Sequence, residues 1–427
     1  MLSFNNPRYY LFNVFDAITG RKKNKHYNDV KHIIEHGDIN KTSNYIAHIL
    51  NHAKASVPFY AAYKHVCRLE GFPVINKNII KDNFDEFQSL SYINKKKVKK
   101  STSGSTGVPF KSFQNKDKTL RNAADNLYFS GKAGYTIGNK LFYFRMWHAF
   151  EKKGMLTKWV QNIKPIEVFD LNDTYLAKLV EQLKSDKTPK SFIGYASTFE
   201  QLCKFLDKTN AQPMACNLQS AIAISEHLSP YTKNALKTYF NVDTVSRYSN
   251  VENGIIAQQF PGTSYFIINT ASYHVEILEL NADLPVPEGT KGRIVITDLF
   301  NYCMPMIRYD TGDIGTIAHI DGHFVLTEVE GRKIDAITNT KGEIISNNIL
   351  LLINNYHELN QCQLIQKKAN HYVFKINIDG EFKKEAKFIA DFKSHLGHDA
   401  HIEMDYVNEI PLLASGKRRV MVNDMTP

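Results

Sequence analysis

The densest set of phosphate-holding groups in this chain is Ser101-Thr102-Ser103-Gly104-Ser105-Thr106-Gly107-Val108-Pro109-Phe110, directly after the basic run Lys95-Lys96-Lys97-Val98-Lys99-Lys100. Glycine lets the main chain approach an anion closely, so backbone N–H groups and Ser/Thr hydroxyls can surround phosphate oxygens. Alone, such a loop is more often a surface turn. Its weight comes from the groupings that follow it.

Arg247-Tyr248-Ser249-Asn250-Val251-Glu252 offers a ring that can stack on a base and, at Glu252, a hard oxygen ligand suited to magnesium. Arg308-Tyr309-Asp310-Thr311-Gly312-Asp313 sets two carboxylates beside one arginine, and a carboxylate can accept both hydroxyls of a ribose. The plainer reading of that hexapeptide is a structural turn with a local ion pair. Gly331-Arg332-Lys333-Ile334-Asp335 combines a glycine with basic residues, as either a hinge or an inter-domain turn. Pro411-Leu412-Leu413-Ala414-Ser415-Gly416-Lys417 puts a lysine on a Ser-Gly loop, a mobile point charge suited to a phosphate in its transition state, or else part of a basic surface tail.

These groups need a frame. Leu176, Leu179, Val180 and Leu183 recur at helical spacing from Asp173 onward, as do Phe199, Leu202, Cys203 and Leu206. Ser220 to Ile224 reads as a buried strand that delivers Ser225-Glu226-His227 at its end, before a helix opening at Ser229-Pro230. Val242 to Arg247 reads as the next strand, and this alternation predicts a largely parallel α/β layer. Tyr273–Leu280 and Gly292–Thr297 read as strands of a β-rich subdomain, about 265–331. From about Arg332 a compact α+β unit follows, with strands at 363–366, 372–378 and 401–407 and a helix between Phe382 and Leu396. The expected fold is α/β: a large multi-layer domain, 1–331, with a parallel sheet and β-rich subdomain, and a small mobile α+β domain, 332–427.

At 427 residues the chain can bury a sizeable core, and its 43% apolar and 22% charged content is ordinary for a globular protein. The formal charge of +10 suits anionic ligands, but no arginine-rich tract or nucleic-acid motif supports DNA or RNA binding. The five cysteines form no C-x-x-C pair, which argues against a zinc ribbon or disulfide scaffold. No leader pattern and no membrane-spanning apolar run is found, so a cytoplasmic protein is expected.

In this order, Thr-Ser-Gly-Ser-Thr-Gly-x-Pro, Ile-Ser-Glu, Tyr-x-x-x-Glu, Pro-x-x-Arg-Tyr-x-Thr-Gly-Asp and Gly-Arg resemble the adenylate-forming superfamily of acyl-CoA synthetases, amino-acid adenylation domains and luciferases. The fit is best with the phenylacetate-CoA ligase branch and its CapK-like and coenzyme F390 synthetase-like relatives. The resemblance extends from Val57-Pro58-Phe59-Tyr60 to the Ser-Gly-Lys loop. It implies that Thr102, Ser103, Gly104, Ser105, Thr106 and Gly107 hold ATP phosphates. It further implies that Ser225, Glu226 and His227 line the adenine, that Tyr248 stacks on it with the following Ser249 in the same site, and that Glu252 is catalytic and binds magnesium. Asp313 would hold the ribose with Arg332 nearby, and Lys417 would be the mobile catalytic lysine.

The implied reaction joins a small-molecule carboxylate to AMP with loss of pyrophosphate, then transfers the acyl group. The acceptor would be CoA, or a sugar or amine in capsule or surface polysaccharide biosynthesis. The alternatives are AMP transfer to a hydroxyl and a non-catalytic ATP-binding protein. No zinc is expected, and a homodimer is left open. The acyl pocket is expected around Tyr143–Trp147, Tyr195–Thr198 and Arg247–Asn250, with His148 either a substrate contact or structural. Three positions depart from the family pattern: Phe110 before Lys111 after the loop proline, Ser249 for a glycine, and Ile334 at the hinge.

Overall fold

The computed structural model describes residues 7–18, 20–101, 110–145, 147, 161–168, 171–332, 337–343, 345, 349, 352, 353, 356, 358–378, 380–411 and 419–425, with the side chains of Phe15, Gly331 and Arg332 excepted. Thr102 to Gly107, His148, Ile334 and Lys417 lie outside the described residues.

The first part is helical: α1 (Pro7–Ile18), α2 (Lys22–His36), α3 (Ile39–Ser56) and the short α4 (Lys77–Asp82). Asp38 starts α3 by accepting from the Lys41 N–H, and Asn76 starts α4 by accepting from the N–H groups of Asn78 and Ile79. Such caps satisfy N–H groups that have no partner inside the helix. β1 (Val98–Ser101) and β2 (Lys111–Gln114) then pair antiparallel with Ser101 opposite Lys111, so they clasp both ends of the hydroxyl-rich segment. Phe110, the unusual residue after the loop proline, is 2% exposed and part of the core. α5 (Lys116–Lys132) follows.

Next come β3 (Lys140–Arg145), β4 (Ile163–Glu167), α6 (Asp173–Ser185), β5 (Lys190–Tyr195), α7 (Ala196–Lys208), β6 (Leu218–Ile224), α8 (Pro230–Phe240) and β7 (Thr244–Asn250). The helical spacings read from the sequence are the buried faces of α6 and α7: Leu176, Leu179, Val180 and Leu183, then Phe199, Leu202, Cys203 and Leu206. Ser229 caps α8 by accepting from the Thr232 N–H, with Pro230 in the first turn, where its missing donor costs nothing. These helices bury their apolar faces against Phe142, Phe144, Phe192 and Ala221 of the strands. The five strands are parallel in the order β4-β3-β5-β6-β7.

β8 (Gly254–Gln259), β9 (Phe266–Ile268), β10 (Tyr273–Leu278), β11 (Lys291–Asp298), β12 (Tyr309–Ile320) and β13 (His323–Arg332) are antiparallel. They continue the same ladder, giving eleven strands in the order β10-β11-β12-β13-β9-β8-β7-β6-β5-β3-β4. The β-rich region is therefore joined edge to edge with the parallel region through β7 and β8.

A separate four-stranded sheet closes the chain: β14 (Leu359–Lys368), β15 (His371–Ile378), β16 (His401–Tyr406) and β17 (Met421–Asn423), with α9 (Glu385–Leu396) packed on it. Phe388, Phe392 and Leu396 are spaced four apart on α9 and fully buried, with Phe388 and Phe392 against Phe374 of β15. Among the described residues, this core draws none from before Ile337. The Lys204 ammonium of α7 touches the larger domain to the smaller one, donating to the Leu359 carbonyl at 3.1 Å.

Candidate active site

The carboxyl ends of β3, β5, β6 and β7 lie along one edge of the sheet. After β3 the chain first goes outward to β4, then back past β3 to β5. Open α/β sheets bind ligands outside the carboxyl ends of their strands at such a reversal. Tyr143 and Arg145 arrive there on β3, Tyr195 on β5, Ser225 to His227 after β6, and Tyr248 to Asn250 on β7.

β12 is bulged through the 308–313 motif: its register with β11 shifts between Asp310 and Ile314, and Gly312 has φ 82°. The bulge brings Thr311 and Asp313 together on the face that also carries Tyr309. On that face Tyr248 Oη donates to Asp313 Oδ2 at 2.7 Å and lies 3.2 Å from Thr311 Oγ1. Tyr309 Oη donates to Glu252 Oε1 at 2.7 Å. Burial, and then the neighbouring carboxylates, hold both phenols well above their ordinary pKa, so both act as proton donors at neutral pH.

The arginine of this motif does not pair with its own aspartates. Arg308, in the left-handed region at φ 50°, sends its guanidinium to Glu276 at 3.0 Å and to the carbonyls of Glu70 and Phe72, each at 3.0 Å. Asp310 pairs instead with Arg293 at 2.6 Å and accepts from the Gly312 N–H at 2.8 Å. The outward face of the motif anchors the strand; the inward face carries the candidate chemistry.

Glu252 is 2% exposed and sits in the turn between β7 and β8. Three contacts lock that turn. Asn253 N–H donates to Asn250 Oδ1 at 2.8 Å, Gln114 Nε2 to the Glu252 carbonyl at 2.8 Å, and Tyr273 Oη to the Asn253 carbonyl at 2.7 Å. Gly254 has φ 125°, and a Cβ there would stand 2.8 Å from Asn122 Oδ1, so no other residue fits without rearrangement.

Lys77, which sequence reasoning passed over, places its ammonium 2.9 Å from Glu252 Oε1 and 5.6 Å from the Phe110 ring centroid. It is brought there because Ile75 pairs with Tyr309 through bonds to the Arg308 carbonyl and from the Asp310 N–H. A lysine just inside a short helix carries no sequence signal of its own. Only the pairing of residue 75 with β12 reveals it.

After β6 the chain turns at Ser225, at φ 68° in the left-handed region. Glu226 Oε2 accepts from the Ser197 N–H at 2.8 Å in the first turn of α7, where a carboxylate is favoured. This ties the 225–227 loop to the end of β5. His227 is open to solvent, yet the protein atoms around it lower its pKa from the ordinary histidine value. Ser249 lies on β7 where its register with β8 shifts. Arg332 pairs with Asp313 across β12 and β13.

Near β3 and β5, Arg145 lies over the rings of Tyr143 and Trp147, at 5.5 and 5.3 Å from their centroids. Trp147 is held by its indole N–H to the Tyr143 carbonyl and its backbone N–H to Glu167 Oε2. Burial raises the Tyr195 phenol to about 12 against the opposing charge of Arg145. Arg247, 5% exposed, donates only to Gln258, Asn126 and Ser130 among the described residues, and burial lowers it to about 10. A separate cavity of about 760 Å³ opens elsewhere, among Gly134, Asn217, Gln219 and Asp243; it shares no residue with this assembly.

Comparison with known proteins accords with this geometry. Residues 336–424 match the CapK C-terminal domain. Protein CapK of Staphylococcus aureus is 20% identical over 431 residues, covering 94% of this chain and 92% of that protein. The chain thus carries a CapK C-terminal domain and is similar to CapK over nearly its whole length. Its fold matches 2-hydroxyisobutyryl-CoA ligase in the postadenylation state, with TM-score 0.71, 15% identity, and 90% and 89% of the two chains covered. The same ligase in the thioesterification state gives 0.57 at 17% identity, with 90% of each chain covered. ATP-bound MatB from Rhodopseudomonas palustris gives 0.55 at 13% identity, over 75% of this chain and 66% of that one.

Proposed function

We propose that this protein uses ATP to activate a small carboxylic acid as its acyl-AMP, releasing pyrophosphate, and then passes the acyl group to an acceptor. The observation that carries this reading is the pairing of two units on one sheet edge. Tyr248, Thr311 and Asp313 form a hydrogen-bonded set, and beside it Tyr309 and Lys77 converge on Glu252.

In this reading Tyr248 flanks the adenine, fixed edgewise by Asp313 and Thr311, and the 225–227 loop closes its other side. Asp313 keeps acceptor capacity for the ribose hydroxyls. Residues 102–107, which follow β1 in the chain, would take the β- and γ-phosphates.

Glu252 fits a magnesium ion delivered with the nucleotide. Its donor set is hard oxygen, such ions commonly take one or two carboxylates plus substrate phosphates, and no group of three His, Cys, Asp or Glu forms a protein-only metal cage among the described residues. When bound, the ion neutralises phosphate charge. Lys77 holds the Glu252 carboxylate in place before the nucleotide arrives and lies close enough to the loop end at Phe110 to meet the phosphates afterwards. The acid would lie toward Tyr143, Tyr195 and Arg247, where a buried guanidinium without a described acidic partner favours a carboxylate. Lys417 would bridge that carboxylate and the α-phosphate, positioning and neutralising rather than forming covalent bonds.

We place the domain division after residue 331 and read residues 332–427 as the mobile cap. The better superposition on the postadenylation state supports an arrangement near the one that follows adenylation. CoA, or a sugar or amine acceptor in polysaccharide assembly as the relative CapK suggests, would take the acyl group.

The test is pyrophosphate release with ATP, magnesium and a panel of aryl, fatty, hydroxy and amino acids, with and without CoA. Acid-dependent release without CoA, lost in Lys417→Ala while ATP still binds, supports the reading. Product mass then separates acyl transfer from AMP transfer. Bound ATP with no turnover in any arm would instead favour a non-catalytic nucleotide-binding protein.

A further inference from the structure

α1 leaves a broad apolar face open to solvent. At about 100° per residue, Pro7, Tyr10, Leu11, Val14, Ala17 and Ile18 fall within an arc of about 120°, and all six are exposed. Tyr10 is 49%, Leu11 57%, Val14 56% and Ile18 78% exposed, the densest run of exposed large apolar side chains among the described residues. The opposite side packs on the protein through half-buried Arg8, Tyr9 and Phe12 and through Asp16, which is 4% exposed, while Asn13 lies exposed at the edge of the apolar arc.

The inward side chains make this orientation definite. Asp16 accepts from the N–H groups of Lys23 and Asn24, each at 3.1 Å, at the start of α2, and its carbonyl accepts from the Arg21 N–H at 2.7 Å. The Lys23 ammonium sits 4.3 Å from the Phe12 ring centroid. These contacts pin the α1–α2 corner and leave Arg21, Lys22 and Lys25 exposed beside the apolar face.

We propose that α1, with Arg21, Lys22 and Lys25, docks this protein on an anionic lipid bilayer surface. An apolar stripe bordered by basic residues is the pattern of helices that lie in a membrane interface. Twelve residues span about 18 Å, too short to cross a hydrocarbon core of about 30 Å, so the helix lies along the surface. Basic side chains add attraction to an anionic leaflet, and Tyr10 suits the headgroup level.

A second copy of the chain fits this face less well. The exposed area of the four large side chains is on the order of 400–500 Å², against about 800 Å² per partner in a stable dimer. Pairing through α1 would also oppose two basic clusters.

The test is co-sedimentation of the full chain with vesicles of phosphatidylcholine alone or mixed with phosphatidylglycerol, at low and high salt. Retention should require phosphatidylglycerol and weaken with salt. It should fall at least tenfold in Val14→Asp/Ile18→Asp and in Arg21→Gln/Lys22→Gln/Lys25→Gln, with thermal unfolding unchanged because all five side chains point to solvent. In Leu11→Trp, tryptophan emission should shift to the blue on adding the mixed vesicles.

No retention of the wild type, equal retention by the variants, or no emission shift would overturn the proposal. So would a wild-type dimer in light scattering that Val14→Asp/Ile18→Asp dissociates, since the face would then belong to a second copy.

Discussion

Two sets of buried charges lie on the two sides of the β7–β8 turn, and they are built differently. On α5, Lys118, Arg121 and Asp125 are fully buried. Lys118 meets Asp298 at 2.7 Å and the Tyr273 hydroxyl at 2.9 Å. Arg121 meets Asp29 and the Ala271 carbonyl, each at 2.5 Å, and Ser272 Oγ at 2.8 Å. This set is enclosed by protein, and within it Asp125 Oδ2 has no hydrogen-bond partner among the described residues. At the sheet edge, Lys77 on Glu252 is 30% exposed, and Asp313 is only half-buried. An enclosed ionic set specifies packing, because any lost partner leaves a charge with no water to turn to. An open set can exchange a protein partner for a ligand.

The comparison is sharpest if the enclosed set is broken first. Lys118→Met should lower unfolding free energy by about 3–5 kcal/mol, read by denaturant titration, and adding Asp298→Leu should recover much of it. If Lys118→Met unfolds like the wild type, the enclosed set is not structural. Glu252→Gln should do the reverse: it should leave the melting temperature nearly unchanged while pyrophosphate release falls about 10²–10³-fold. Equal losses of stability in both variants would erase the distinction.

Lys77→Ala should cost about 1–3 kcal/mol of stability in the nucleotide-free protein. Excess ATP with magnesium should restore most of that loss, since the ligand brings its own positive charge to Glu252. A deficit indifferent to nucleotide would make Lys77 merely structural. Tyr248→Phe should raise the KM for ATP by about tenfold with a smaller change in kcat, and its effect should not add to that of Asp313→Asn, because both remove one hydrogen bond.

The smallest effect belongs to pH. Burial alone would raise Asp186, but the Lys140 ammonium and Thr188 outweigh it and hold its pKa at about 2. Its folded value lies below its unfolded one, so its contribution is complete above about pH 4 and is lost as pH falls toward 2. Lys140→Ala should flatten that part of the stability curve. An unchanged slope would show that the pair does not matter.

Much of this was legible in the chain. Helices α6 and α7 announced themselves by apolar periodicity, α8 by its Ser229-Pro230 start, β6 by an apolar run ending in polar residues, and β10 by apolar–polar alternation before a turn. Tyr248, Glu252 and Asp313 were legible as candidates because each belongs to a short contiguous motif. α1 to α3 and β17 drew no reading. The joining of the parallel and antiparallel strands into one ladder was equally hidden, since the residues 265–331 look like a self-contained β unit.

The sequence by itself determined which residues are chemically equipped: hydroxyls and glycines at 101–107, a carboxylate at Glu252, another at Asp313. Local pattern suffices there, because strand alternation and turn chemistry act over a few residues. Only the tertiary structure decided their partners. Lys77 reaches Glu252 across 175 positions because residue 75 pairs with β12. Arg308 turns away from the neighbouring aspartates because Glu276 and two carbonyls satisfy its guanidinium. α1 turns its apolar side outward because Asp16 is needed at the start of α2. Partner choice is a competition among distant groups for the same hydrogen-bond positions, and that competition exists only once the chain has folded.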